Sequence, residues 1–197
     1  MKRGLLFFLF ITQTVICFAD HDTTRVRTTR LKLETGLELM LPYHKSRQIQ
    51  TISANFLFGA QFFKKWHLQV LGGITTTYAY GNIIQWDDHF QDITYQNNAF
   101  GAGPVLQLRI EPLVIKKISV SVDIGSGIIF YNTRFPYGGD YYNFMSRLGA
   151  SFIYHINEKF AFGVSGKWMH VSNGQGLGGF NPSYEAAGMS VELTRYF

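Results

Sequence analysis

A strict alternation of apolar residues with small or polar ones limits the fold of this chain more than any other feature. The stretch 118–125 reads Ile-Ser-Val-Ser-Val-Asp-Ile-Gly, and the stretches 31–41, 52–62 and 100–110 keep broadly the same period, with Leu57 as one exception. Side chains of a β-strand point alternately to its two faces. A period of two therefore indicates strands that have one apolar face and one polar face.

Segments of this kind recur along the chain, and the connections between them differ in length. The predicted strands are 30–41, 50–62, 66–80, 98–112, 118–131, 142–156, 160–172 and 184–197. The predicted short turns are 63–65, 113–117 and 157–159, and the predicted long loops are 42–49, 81–97, 132–141 and 173–183. Short turns that alternate with long loops are typical of an up-and-down barrel in the outer membrane.

The polar face carries many charged residues that could pair with one another inside a narrow barrel. They are Lys32, Glu34, Glu38, Arg109, Glu111, Asp123, Arg147, Lys167 and Glu192. Charged residues make up only 16% of the chain, whereas about 25% is usual in soluble domains. The sequence predicts an all-β fold, an eight-stranded antiparallel up-and-down transmembrane β-barrel with its apolar face against lipid. A soluble β-sandwich is the alternative.

The N-terminal residues have the pattern of a secretory signal. A basic start at Lys2 and Arg3 precedes a mostly apolar stretch that ends at Ala19, a small residue suited to cleavage. We therefore predict a signal peptide at 1–19 and an outer-membrane barrel at 20–197.

The single cysteine, Cys17, lies within that segment. Cleavage would remove it, so the mature chain could form no disulfide. Two alternatives stay open at this point: an uncleaved anchor helix, and a lipoprotein attached through Cys17, for which the bulky Ile16 is a poor preceding residue.

Several classes of function find no support in the sequence. The pI is near 9.3, but no basic run is interleaved with aromatic residues, and an exported chain has little access to nucleic acid. No phosphate-binding glycine loop or Cys-His metal spacing occurs. Asp87, Asp88 and His89 are interpreted as a polar loop rather than a metal site. We expect no metal, no cofactor and no nucleic-acid partner.

The last two predicted strands carry polar side chains on their apolar faces. His170 and Ser172 share the parity of Phe162 and Trp168, so they project outward at the long-loop end of the seventh strand. Glu185 begins the apolar face of the eighth strand at that same end. Because the two strands are antiparallel neighbours, the three side chains are predicted to lie together. A charge on the lipid face costs about 2–4 kcal/mol at midplane and 0–1 near the interface.

Serine, histidine and a carboxylate are the parts of a nucleophilic triad. Ser172 would attack an ester, His170 would accept its proton, and Glu185 would orient the imidazole. The negative intermediate needs hydrogen-bond donors; the candidates are Asn173, Gly174 and Asn181. Each residue alone has an ordinary interpretation as a turn or surface residue, and the hypothesis depends on their joint placement.

The segment His170-Val171-Ser172-Asn173-Gly174, with Asn181-Pro182 and Glu185 after it, resembles the active-site segment of the lipid A 3-O-deacylase family. The resemblance implies an eight-stranded outer-membrane barrel that removes the ester-linked acyl chain at position 3 of lipid A. It also implies that His170 is the base, Ser172 the nucleophile and Glu185 the orienting acid, with Asn173 and Asn181 assisting the oxyanion. The interval from Ser172 to Glu185 is one residue longer than the family pattern, which a loop insertion would absorb.

The expected function is therefore that of an outer-membrane serine esterase, with its active site toward the outer leaflet. Lipid A or lipopolysaccharide is the expected substrate, and outer-membrane lipid is a further expected partner; the sequence assigns no oligomeric state. His44, Lys45 and Arg47 are interpreted as solvated loop residues, with contacts to lipid A phosphates as the alternative. Two rival functions stay open: a structural or adhesion barrel without activity, and an esterase that acts on phospholipid.

Overall fold

The computed structural model describes residues 30–62, 67–86, 91–174 and 182–197, and these form one closed β-barrel. Each strand pairs antiparallel with the next along the chain, and the last strand pairs with the first. This topology confirms the predicted fold class. The predicted signal peptide at 1–19 lies outside the described residues.

The strands agree closely with the periodic segments of the sequence. They are β1 (Arg30–Pro42), β2 (Arg47–Phe62), β3 (Leu68–Trp86), β4 (Asp92–Ile115), β5 (Ile118–Tyr131), β6 (Tyr142–His155), β7 (Phe160–Ser172) and β8 (Tyr184–Tyr196). The connections from β1 to β2, β3 to β4, β5 to β6 and β7 to β8 lie at one end of the barrel, which we call the loop end. We call the opposite end the turn end.

Two of the four predicted long loops differ from expectation. The loop predicted at 42–49 is a tight turn, because His44 and Arg47 form an isolated bridge and β2 begins at Arg47. Most of the loop predicted at 81–97 is strand, since β3 and β4 stay paired as far as Trp86 and Asp92. A paired hairpin satisfies the backbone hydrogen-bonding groups that an open loop would leave to water.

The barrel lumen holds the polar face, as the alternation predicts. All nine charged residues assigned to the interior are buried. Arg109 binds Glu34 through two hydrogen bonds of 2.6 and 3.0 Å, and Lys167 lies 2.7 Å from Glu192 and 2.8 Å from Glu38. A buried charge is tolerated only when it is paired and hydrogen-bonded. The lumen charges therefore pair with one another, as the sequence predicts.

Toward the loop end the lumen becomes apolar and is closed by the connection between β5 and β6. Phe135, from that connection, is fully buried and packs against the rings of Tyr131 and Tyr184, with centroid distances of 5.1 and 6.1 Å. Asn143 donates a hydrogen bond of 2.8 Å to the carbonyl of Phe135. The inner face of the barrel wall at the start of β8 is therefore packed against Phe135.

The outward face is apolar along every strand. Leu37, Phe58, Leu106 and Phe152 are more than half exposed there, at 60, 53, 54 and 59%. Leu57, the exception to the alternation, is buried inside the barrel. Within the described part of the chain, no helix is both long and apolar enough to cross a membrane.

Candidate functional site

The register of β7 against β8 sets His170 directly opposite Glu185. The imidazole Nδ1 lies 3.3 Å from the carboxylate Oε1. Both side chains are partly exposed, at 36 and 28%, and both lie at the loop end. The carboxylate therefore faces the imidazole although the interval between Ser172 and Glu185 is one residue longer than the family pattern.

Ser172 is the last residue of β7 and shares the outward face with His170. The alternating exposure along β7 confirms the predicted parity, with Phe162 and Trp168 exposed on this face and Met169 buried in the lumen. The His170 ring lies near the indole of Trp168, with centroids 6.2 Å apart and planes inclined by 25°. The imidazole therefore lies along the outer wall, farther from the loop end than Ser172.

A second serine is a neighbour of His170 on the outward face. Ser146 on β6 is the register partner of His170, and Ser172 is the partner of Phe144. Directly paired residues of antiparallel strands have Cβ atoms about 4.5–5.5 Å apart, which is closer than residues two apart on one strand. Two hydroxyls are therefore near the imidazole, and an experiment must distinguish between them.

The contact between His170 and Glu185 determines which nitrogen of the ring can accept a proton. An ionised carboxylate only accepts hydrogen bonds, so Nδ1 must carry the proton in this contact. In the neutral ring Nε2 then keeps its lone pair and is free to act as a base. This is the tautomer that a serine nucleophile requires.

The three residues predicted to assist an oxyanion have different positions. Asn173 has the opposite parity to Ser172; its side chain is buried and donates a hydrogen bond of 3.2 Å to Oδ2 of Asp140. Gly174 has a φ of 76°, which glycine adopts at no steric cost. Asn181 lies outside the described residues. The Asn173 side chain is therefore directed away from the outer face that carries Ser172.

Sequence reasoning missed one side chain at this site, that of His44. Its Nε2 lies 3.0 Å from Oε2 of Glu185, so the carboxylate contacts two imidazoles. Nearby, Arg47 donates hydrogen bonds to the carbonyl and to the hydroxyl of Ser183, the latter at 2.6 Å. The sequence predicts solvated loop residues at both positions, whereas both contact the start of β8. The only available signal was the predicted adjacency of the first and last strands at barrel closure.

Across the described ranges, no group of three or more histidine, cysteine, aspartate or glutamate side chains could hold a metal ion. The Asp87, Asp88 and His89 cluster lies outside those ranges.

Comparison with known proteins relates this barrel to a family and to two solved structures. The family model for the lipid A 3-O-deacylase (PagL) matches residues 51–194. The crystal structure of the outer membrane enzyme PagL has 14% identity and a TM-score of 0.54, covering 82% of this chain and 97% of that one. Neisserial surface protein A (NspA) has 7% identity and a TM-score of 0.55, with coverages of 88% and 100%.

At these identities the two structures support the barrel fold alone. The sequence matches none of the curated proteins with which it was compared. The family match is different in kind, because it spans most of the chain and includes Ser172 and both partners of its predicted triad. The chain belongs to the lipid A 3-O-deacylase (PagL) family.

Proposed function

We propose that this protein is an outer-membrane serine esterase that removes the ester-linked acyl chain at position 3 of lipid A. The observation that carries the proposal is the outward pairing of His170 with Glu185, at 3.3 Å, beside Ser172. Nothing in the barrel fold requires an imidazole and a carboxylate to be paired on its apolar outer face. They are the parts of an acyl-transfer site, and the family match supports the substrate.

The reaction begins when the hydroxyl of Ser172 attacks the carbonyl carbon of the ester. His170 takes the hydroxyl proton at Nε2, and Glu185 stabilises the imidazolium through Nδ1–H. The tetrahedral intermediate collapses, the bond to the sugar oxygen breaks, and His170 returns the proton to that oxygen. The acyl group stays on Ser172 as an ester.

Water completes the cycle by the same route. His170 removes a proton from water, whose oxygen attacks the acyl carbon, and the fatty acid leaves as Ser172 recovers its proton. Both tetrahedral intermediates carry a negative oxygen, which needs donors aimed at it. We propose the backbone N–H of Gly174, two residues beyond the nucleophile, as one such donor.

The orientation of the site agrees with a membrane substrate. Its side chains emerge from an apolar outward face at the loop end, which corresponds to the outer leaflet in outer-membrane barrels. Trp168 and the exposed Met189 lie on the same face. A lipid therefore brings its ester sideways to the wall, and the fatty acid leaves into the bilayer.

Mass spectrometry of lipid A tests this function. Purified protein in detergent micelles is incubated with lipid A and, separately, with phospholipid, and the released fatty acids are identified. We expect lipid A to lose one 3-linked acyl chain while phospholipid stays intact. Release from phospholipid alone would favour the phospholipase alternative, and release from neither would favour a barrel without enzymatic activity.

The Glu185→Ala variant should lose activity without becoming inert. Removal of the carboxylate leaves the nucleophile and base in place but frees the ring to adopt the wrong tautomer. We expect kcat to fall roughly 10³- to 10⁴-fold, less than for loss of the nucleophile. Initial rates on lipid A give the measurement, and a rate equal to that of the wild type would exclude Glu185 from the triad.

A further inference from the structure

The tight turn between β1 and β2, residues 43–46, is fastened to the start of β8. The amide of Tyr43 donates a hydrogen bond of 3.1 Å to the carbonyl of Glu185. Arg47, just after the turn, holds both the carbonyl and the hydroxyl of Ser183. Backbone and side-chain contacts therefore fix the turn relative to the candidate triad, although it lies far away in sequence.

His44 projects from this turn onto the carboxylate. Its Nε2 lies 3.0 Å from Oε2 of Glu185, and Oε1 of the same group faces His170. The His44 ring is also held edge-on against Tyr43, with centroids 5.3 Å apart. Each oxygen of the carboxylate is thus taken by a different imidazole.

We propose that His44 is a positioning residue for the triad, an inference that rests on the proposed esterase function. Glutamate has a flexible side chain, and Glu185 is 28% exposed at the start of a strand. A single contact leaves its carboxylate free to rotate into water. A donor on Oε2 holds the plane of the carboxylate so that Oε1 stays on Nδ1 of His170.

The alternative role for His44 is direct contact with a lipid headgroup. The side chain is 53% exposed and has Lys45 beside it, so a phosphate could reach both. The two roles of His44 predict changes in different kinetic parameters. Loss of a headgroup contact weakens substrate binding and raises KM, whereas loss of positioning lowers kcat with KM little changed.

The test compares variants of His44 on lipid A in the full-length protein. In His44→Leu the donor is lost, and we expect kcat to fall about tenfold with KM within about twofold of the wild type. In His44→Gln an amide N–H can take the place of Nε2, and kcat should recover to within about threefold. His44→Asn is too short to reach the carboxylate and should resemble His44→Leu, which provides a second loss variant should leucine impair folding.

Two controls make the result specific. His155, at the turn end, contacts Ser119 at 3.2 Å and stacks on the ring of Tyr196, and His155→Phe should leave kcat unchanged. In a Glu185→Ala background, His44→Leu should cause no further loss, because its effect passes through the carboxylate. Thermal unfolding followed by circular dichroism confirms that each variant is folded.

The outcomes separate this inference from the proposed function. If the wild type is active and Ser172→Ala is inactive, then unchanged kcat in both loss variants, a change in KM alone, or failure of glutamine to restore kcat would each overturn the role of His44 and leave the esterase intact. An additive loss in the double variant would also overturn it. Inactivity of the wild type would overturn both.

Discussion

Replacement of Ser172 with alanine is expected to slow lipid A hydrolysis roughly 10⁴- to 10⁶-fold, the range found when a serine nucleophile is removed from a triad. Without the hydroxyl no acyl-enzyme can form. The residual rate would come from water activated by His170 in a site that still binds the transition state. The measurement is single-turnover release of fatty acid, with excess protein so that slow product release does not mask the chemical step.

Ser146→Ala is the matched control, because Ser146 is an outward serine and the register partner of His170. It removes the same atom from the residue paired directly with His170 on the neighbouring strand. We expect Ser146→Ala to keep activity within a few-fold of the wild type. An inactive Ser146→Ala with an active Ser172→Ala would exchange the two roles and contradict the proposed mechanism.

The second large effect is expected in stability, at Arg109. Its guanidinium is fully buried, binds Glu34 at 2.6 and 3.0 Å and lies 3.6 Å from Glu192. Arg109→Met fills the space but removes the guanidinium that pairs with Glu34 and lies near Glu192. Removal of one partner from a buried ion network costs about 3–5 kcal/mol. We expect a loss of that size in the free energy of unfolding, measured by urea titration in detergent micelles.

Lys159→Met is the control for this experiment, since Lys159 is an exposed cation in the connection between β6 and β7. Its loss should change the free energy of unfolding by less than about 0.5 kcal/mol, as is usual for surface substitutions. An Arg109→Met barrel as stable as the control would mean that the lumen charges are not a coupled network.

The barrel could be predicted because the two faces of its wall lie in different environments. Each strand separates an apolar exterior from a polar lumen, so the parity of a residue decides its chemistry. The stretch 118–125 follows this rule without exception, and its strand β5 begins at the predicted residue. The lumen charges could be identified in the same way, since they all have the parity opposite to the apolar residues.

The extensions of β3 and β4 could not be predicted, because that alternation fades there. Around Asn82 and Gln96 polar residues occur at both parities, so no periodic signal marks the strands, yet the two residues are paired. Pairing there is determined by the register inherited from the barrel below. The burial of Phe135 in the lumen could not be predicted either, because a single aromatic residue in a loop belongs to no periodic pattern.

Only part of the candidate site could be predicted from the sequence, for a related reason. His170 and Glu185 lie on strands joined by one connection, so parity and antiparallel pairing together predict that they meet. His44 reaches Glu185 from 141 positions away in sequence. Its approach depends on closure of the barrel between β1 and β8 and on a tight turn where a long loop was predicted.

Covalent labelling tests the central claim most directly. A long-chain alkyl fluorophosphonate transfers its phosphorus to an activated serine oxygen with loss of fluoride, and peptide mass spectrometry identifies the modified residue. We expect one label per chain on Ser172, absent from His170→Ala and strongly reduced in Glu185→Ala. Labelling of Ser146 instead, or hydrolysis of lipid A by a protein in which Ser172 resists the reagent, would contradict the account.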